Sequence, residues 1–289
     1  MRQLVILSGK GGTGKTTVAS AMIRLSQARA YADCDVDAPN LALVTPQCEK
    51  TQTEAYFDLG KAVIQSDICI SCGICAAHCR FDAIVSNPVY HVDSLRCEGC
   101  GVCERLCPVK AISMAAHQAG TMTLCLDSDW VFSTALLKMG SGTTGKLVSE
   151  VKKRMNLASD ESIPFAIIDG SPGIGCPVIA SLSGASLTLI VAEPSISGMS
   201  DLTRIVETAR GMGTDIAICV NKADLNPAKA EDIRRYCKKE EIDFVGTIPY
   251  DKQVFNALNR GESIADISSP AGFAVREVYE KTMIKLLTI

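Results

Sequence analysis

Eight cysteines between residues 69 and 107 constrain this chain more than any other feature. Cys69, Cys72, Cys75 and Cys79 form one run, and Cys97, Cys100, Cys103 and Cys107 a second. Each reads Cys-x-x-Cys-Gly-x-Cys-x-x-x-Cys and is followed by Ala-Ile, at Ala83–Ile84 and Ala111–Ile112, with a constant offset of 28 residues. The segment is therefore an internal repeat. Thiolates are the soft donors that iron–sulfur clusters require, four to a cubane. In such runs the tight loop supplies three thiolates to one cluster, and the chain carries the fourth cysteine to the other. The spacing predicts one 4Fe-4S cluster on Cys69, Cys72, Cys75 and Cys107 and a second on Cys97, Cys100, Cys103 and Cys79. Gly73 and Gly101 stand where a side chain would collide with a cubane. Zinc ribbons also use Cys-x-x-Cys, but as two separated pairs, which leaves the third and fourth cysteines of each run unexplained.

Composition narrows the rest. The 289 residues are 47% hydrophobic and 21% charged, which excludes disorder and is long enough to bury a core without disulfide staples. No apolar run approaches the ~18 residues of a spanning helix. The opening MRQLVILSGKGG lacks the apolar core of a secretory signal, which predicts a cytoplasmic chain whose 14 cysteines are ligands, reactive groups or buried thiols. A net charge of −3 provides no electrostatic reason to expect nucleic acid as a partner.

The chain opens on a second strong signal. Leu4–Leu7 is an apolar run of strand length, Gly9-Lys10-Gly11-Gly12-Thr13-Gly14-Lys15-Thr16-Thr17 follows, and Val18–Ile23 begins a helix. Strand, glycine loop and helix is the context of a phosphate-binding loop. The glycines let backbone N–H groups curl around phosphate, and the helix N-terminus adds partial positive charge. Lys15 is expected to reach the β- and γ-phosphates and Thr16 to coordinate Mg²⁺.

Lys10 is an additional lysine, and Lys10–Thr17 resembles the deviant Walker A loop of the MinD/ParA/nitrogenase-iron-protein class of dimeric ATPases. The resemblance implies a homodimer formed on ATP binding, with Lys10 reaching the partner's nucleotide. It also places three further groups. Asp33-Cys34-Asp35 looks like switch I, with Asp35 as the water-activating aspartate and Asp33 near the metal. Phe165–Asp169 looks like Walker B, with Asp169 holding Mg²⁺, and Gly170–Gly175 like switch II. The cysteine segment resembles bacterial-type two-cluster ferredoxins. Pro108 follows Cys107 as in that family, whereas Arg80 stands after Cys79. Together these features resemble MinD-superfamily P-loop ATPases with an inserted ferredoxin domain.

The expected fold is α/β, a doubly wound, mostly parallel P-loop NTPase sheet interrupted by a small α+β ferredoxin-like insert. The boundaries read 1–60 and 118–289 for the P-loop domain and 61–117 for the insert. Apolar runs at Arg29–Ala32, Phe165–Asp169, Leu187–Ala192, Ile216–Val220 and Phe244–Ile248 predict strands. Helices are predicted near Leu202–Met212, Ala228–Glu240 and Ala271–Leu287. Asn221-Lys222-Ala223-Asp224 matches the box that reads guanine, but in the ATP-using branch an asparagine at this strand end contacts adenine. Thr247–Asp251, with Pro249, resembles the loop flanking adenine there, so ATP is favoured over GTP. Cys34, Cys48, Cys125, Cys219 and Cys237 read as packing. Cys176, behind switch II, is a candidate contact at a dimer interface. Val275, Val278, Tyr279, Thr282, Met283 and Leu286 form a stripe with mixed charge around it, which predicts a helix packed on its own domain, not a membrane anchor.

The expected function is Mg-ATP hydrolysis coupled to electron transfer or metal-cofactor assembly, with a redox partner or an assembly client. The alternatives are a positioning or partitioning switch with structural clusters, and a GTP-dependent metal-insertion chaperone.

Overall fold

Fully buried Leu4, Val5, Ile6 and Leu7 mark a strand covered on both faces, as a central strand of a parallel sheet must be. The computed structural model describes all residues of the chain except 47, 49, 87 and 143. Among them run β1 (Arg2–Leu7), α1 (Lys15–Ser26), β2 (Ala30–Asp33), β3 (Lys50–Phe57) and β4 (Lys61–Ile64). Next come α2 (Ile74–Ala77), β5 (Ile84–Ser86), β6 (Tyr90–Val92), α3 (Val102–Leu106), β7 (Ile112–Ala115), β8 (Gln118–Leu126) and β9 (Val131–Leu137). The remainder alternates: α4 (Thr144–Ala158), β10 (Phe165–Asp169), α5 (Cys176–Leu182), β11 (Leu187–Ala192), α6 (Ile196–Gly211) and β12 (Asp215–Asn221). α7 (Pro227–Lys239), β13 (Asp243–Ile248), α8 (Lys252–Asn259) and α9 (Pro270–Thr288) complete it.

The nine-stranded sheet has the order β13-β12-β11-β1-β10-β2-β9-β8-β3. Its neighbours from β13 to β9 pair in parallel, with Leu4 opposite both Ile167 and Leu187. The chain winds outward in both directions from β1, so the carboxyl ends of β1, β10 and β11 form the switch point at which such sheets hold ligands. The expected strands and helices occur with shifted ends. β3, β8 and β9 extend the sheet beyond the expectation, and β8 meets β9 through the turn in which Asp127 N–H donates to Trp130.

The chain divides into two compact units, residues 1–52, 123–135 and 145–289 in one and 53–122 with 136–144 in the other. The second unit is wider than the segment 61–117 marked by the cysteines. Residues 136–144 join it because Lys138 N–H donates to Ala119, Gly120 packs on Leu136, and Lys61 donates to the Gly140 carbonyl. Within it β4 pairs antiparallel with β7 and β5 with β6, so each ladder takes one strand from each cysteine repeat.

The core of the first unit gathers Val18, Met22 and Ile23 of α1 against Leu4, Ile6, Ile167 and Leu189. α9 adds Val275, Val278, Met283 and Leu286, so the stripe expected on that helix faces its own unit. No described helix is long and apolar enough to cross a membrane.

Candidate functional site

β1 ends at Leu7 and delivers the glycine loop to the N-terminus of α1. Gly14 has φ 91°, the left-handed region, and a Cβ there would lie 2.2 Å from the Asn221 amide nitrogen. Both the backbone and its neighbour thus require glycine. That amide donates to the Thr13 carbonyl at 2.7 Å, and the Lys222 ammonium donates to the Gly12 carbonyl at 2.9 Å. Asn221 and Lys222 therefore hold the loop itself. Gly11 and Gly12 face open space, as a backbone that must approach a ligand requires.

Lys15 is buried, and its ammonium donates to Asp169 Oδ1 at 2.6 Å, with Asp35 at 3.6 Å. Burial opposes its charge, but Asp169, by charge and hydrogen bond, together with Asp35 holds its pKa above the ordinary lysine range. Thr16 Oγ1 donates to Asp169 Oδ2, also at 2.6 Å. The structure thus brings Lys15, Thr16, Asp35 and Asp169 together around one carboxylate.

Asp33 sits beside them, fully buried, with both oxygens engaged. Oδ1 accepts the N–H of Asp35, and Oδ2 those of Asn40 and Leu41. Burial and the neighbouring Asp169 push its pKa up to about 7, against the pull of these N–H groups and Lys15. Asp33 is the anchor of the segment from Asp35 to Leu41. Burial likewise raises Asp35, with Lys15 opposing.

Lys10 is bound to its own chain, its ammonium 2.6 Å from Glu193 Oε2. The sequence reading missed Glu193, which lies just beyond β11, because only the parallel pairing of β11 with β1 brings it near the loop. Ser171, inside the Gly170–Gly175 segment, donates its hydroxyl to the Cys34 carbonyl at 2.5 Å and so joins that segment to Asp33–Asp35, a bond the sequence did not indicate. Lys152 was missed too. Buried on α4, it donates to the carbonyls of Ser181 and Ser183 at the end of α5, and burial lowers its pKa to about 8.

A cavity of ≈ 350 Å³ opens beside the glycine loop, lined by Gly12, Thr17, Asn221, Pro249, Tyr250 and Phe255 among others. Asp224 faces the same loop, its Oδ1 accepting the Tyr250 N–H at 2.6 Å. The Asn-Lys-x-Asp box is thus spent largely on backbone: Asn221 and Lys222 on the phosphate loop, Asp224 on the Pro249–Tyr250 turn.

The eight cysteines of the second unit are free thiols arranged around two cavities. One is lined by Cys69, Cys72, Cys75 and Cys107, and the other by Cys79, Cys97, Cys100 and Cys103. Each cavity therefore has three thiols from one repeat and one from the other. Cys107 Sγ accepts the Ala111 N–H at 3.2 Å and Cys79 Sγ that of Ala83 at 3.4 Å. Among the described residues, no three His, Cys, Asp or Glu groups are placed to hold a single metal ion.

Of the other cysteines, Cys34, Cys125, Cys219 and Cys237 are buried, and Cys48 packs against the core. Cys176 is exposed at the start of α5, where a Cβ on Gly145 would meet it at 3.2 Å.

Comparison with known proteins places this geometry. A family model described as the CobQ/CobB/MinD/ParA nucleotide binding domain matches residues 4–264. The chain is similar to an uncharacterized protein of Methanocaldococcus jannaschii, 29% identical over 286 residues that span 96% of this chain and 95% of that one. It is similar to an iron-sulfur cluster carrier protein of Pyrococcus abyssi, 24% identical over 98% of this chain and 86% of that one. Its fold is similar to that of the septum site-determining protein MinD complexed with Mg-ADP from Pyrococcus horikoshii, with a TM-score of 0.55 and 16% identity over 97% of this chain and 95% of that one.

Proposed function

The chain belongs to the CobQ/CobB/MinD/ParA nucleotide-binding family, and on that premise we propose that it hydrolyses Mg-ATP as a homodimer and couples nucleotide state to electron transfer or metal-cofactor assembly through two 4Fe-4S clusters. One observation carries the reading. The same chain holds a phosphate loop built around Lys15, Thr16 and Asp169 and two cavities of four thiols each.

The donor set fits the clusters. It is all sulfur, it surrounds a volume and does not converge on a point, and each set mixes the two repeats. A single zinc ion requires four ligands at one centre, whereas a cubane spreads them around its faces. Cys69, Cys72, Cys75 and Cys107 would hold one cluster and Cys79, Cys97, Cys100 and Cys103 the other, and Thr16 and Asp169 would hold Mg²⁺. When bound, the clusters supply one-electron storage and Mg²⁺ neutralises charge on the phosphates.

The chain's own residues do the rest. Lys15 exchanges its bond to Asp169 for the phosphates, and the loop amides cradle them. Lys10 leaves Glu193 and stabilises the developing charge on the partner's nucleotide. Asp35 orients the attacking water, while Asp33 keeps the segment that carries it in place. Adenine is the base favoured for the cavity at Pro249, because Asp224 is occupied by the Tyr250 N–H. The client or redox partner binds according to nucleotide state.

Turnover of ATP and GTP by the anaerobically purified chain tests this, together with Asp35→Asn. The variant is expected to bind nucleotide and lose about 100-fold in turnover. A preference for GTP would move the reading to the metal-insertion chaperone, and nucleotide-dependent surface binding with redox-inert clusters to a positioning switch.

A further inference from the structure

The cysteine duplication contains its own control. Residues 28 apart occupy equivalent places: α2 and α3, Gly73 and Gly101 with φ of 76° and 73°, and the N–H bonds onto Cys79 and Cys107. A group present at one cavity and missing at its counterpart therefore distinguishes the two. Lys61 is such a group. Its side chain is 8% exposed, and its ammonium donates to the carbonyl of Cys97 and, at 2.9 Å, to that of Gly140. The position 28 residues on is Val89, which is exposed.

Lys61 also ties the turn around Gly140 to the second cysteine loop. A Cβ on Gly140 would lie 2.9 Å from Leu95, and one on Gly142 2.0 Å from Glu98, so this turn packs directly on that loop. Around the second cavity Glu98, Arg80 and Asp82 are exposed and screened by solvent, as is Lys110 at the first, and Asp93, half-buried beside Cys97 where the first repeat has Gln65, is paired with Arg96. The first cavity has Tyr90 where the second has Ala62, and a hydroxyl dipole exerts a weaker field than a full charge.

Resting on the two-cluster reading above, we infer that Lys61 makes the sites unequal. The cluster on Cys79, Cys97, Cys100 and Cys103 has the higher reduction potential and accepts the first electron. Reduction adds one electron to a cluster and makes it more negative. A desolvated ammonium bonded to the backbone of one of its ligands favours that state, since net charge and hydrogen bonding around the cluster set its potential. The sulfur-directed N–H bonds are matched between the sites and cancel in the comparison.

The test is an anaerobic potentiometric titration of the full chain, reduced with dithionite and followed by EPR. Iron is measured first. Fewer than about eight irons per chain overturns the two-cluster reading and this inference with it. With both clusters present, the native chain is expected to reduce in two separate one-electron steps. Lys61→Met drops the upper step toward the lower, and Lys61→Arg keeps two steps. With Lys61 in place, Cys100→Ser moves the upper step and Cys72→Ser the lower, an assignment that stands even where Lys61→Met does not fold. An unmoved upper step in folded Lys61→Met, or an upper step that responds to Cys72→Ser, overturns the inference while leaving the clusters intact.

Discussion

The nucleotide site and the thiol cavities are built on opposite plans. Around the glycine loop the functional groups already bond one another: Lys15 and Thr16 share Asp169, Lys10 holds Glu193, and Asn221 and Lys222 hold loop carbonyls. Such a site admits a ligand only by exchanging internal bonds for external ones, which is how a switch is made. In the second unit eight free thiols line two cavities, and two of them accept backbone N–H bonds that fix their direction. The difference is that the nucleotide site must exchange side-chain bonds to take a ligand, whereas the thiols have no such ion pairs to break.

If that contrast holds, damage to one site leaves the other assembled. Lys15→Met is expected to lower ATP turnover by about 10²–10³-fold while leaving the iron content of the anaerobic protein unchanged. A parallel loss of iron would show that the thiol unit depends on nucleotide to form.

A smaller effect probes how the switch is supported. Lys152 has a folded pKa of about 8, below its ordinary value of 10.5. Between these values this lysine binds more protons in the unfolded chain than in the folded one, so its own contribution to stability rises as pH increases from about 8 toward 10.5. The gain is on the order of 3 kcal/mol, and both bonds to Ser181 and Ser183 survive because the neutral amine still donates. Denaturant titrations across this window read the lysine's contribution as the difference between the native chain and Lys152→Met, because the buried thiols of Cys34, Cys125, Cys219 and Cys237, whose pKa values burial raises, pull stability the other way. An equal slope in both would locate the titration elsewhere.

The smallest effect divides the thiol unit. Cys107→Ala should remove about half of the iron, because Cys107 lines the first cavity alone, and should leave nucleotide binding intact. Loss of all the iron would mean that the two cavities form only together.

What the sequence revealed of this fold follows the range of the interactions involved. The phosphate loop was legible because strand, glycines and helix are contiguous, and the thiol sets because a strict repeat encodes their pairing. β8 and β9 were not read as strands, since Gln118–Leu126 mixes buried and half-buried positions without clean alternation. Glu193 and Lys152 carry no local signal, and the bond of Ser171 to Cys34 carries none either. Each reaches its partner through sheet pairing or helix packing across long stretches of chain, as Ser171 does to Cys34. Asp33 and Asn221 lie beside the glycine loop, but their bonds to backbone N–H and carbonyl groups depend on loop conformations that no motif records.

The proposed coupling requires that nucleotide state control the clusters. The direct measurement is the rate of cluster reduction in the anaerobic full chain, followed by EPR with and without a non-hydrolysable ATP analogue. The rate is expected to change when the analogue binds, and the change to disappear in Lys15→Met. Equal rates in a protein that carries both clusters and binds the analogue would contradict it.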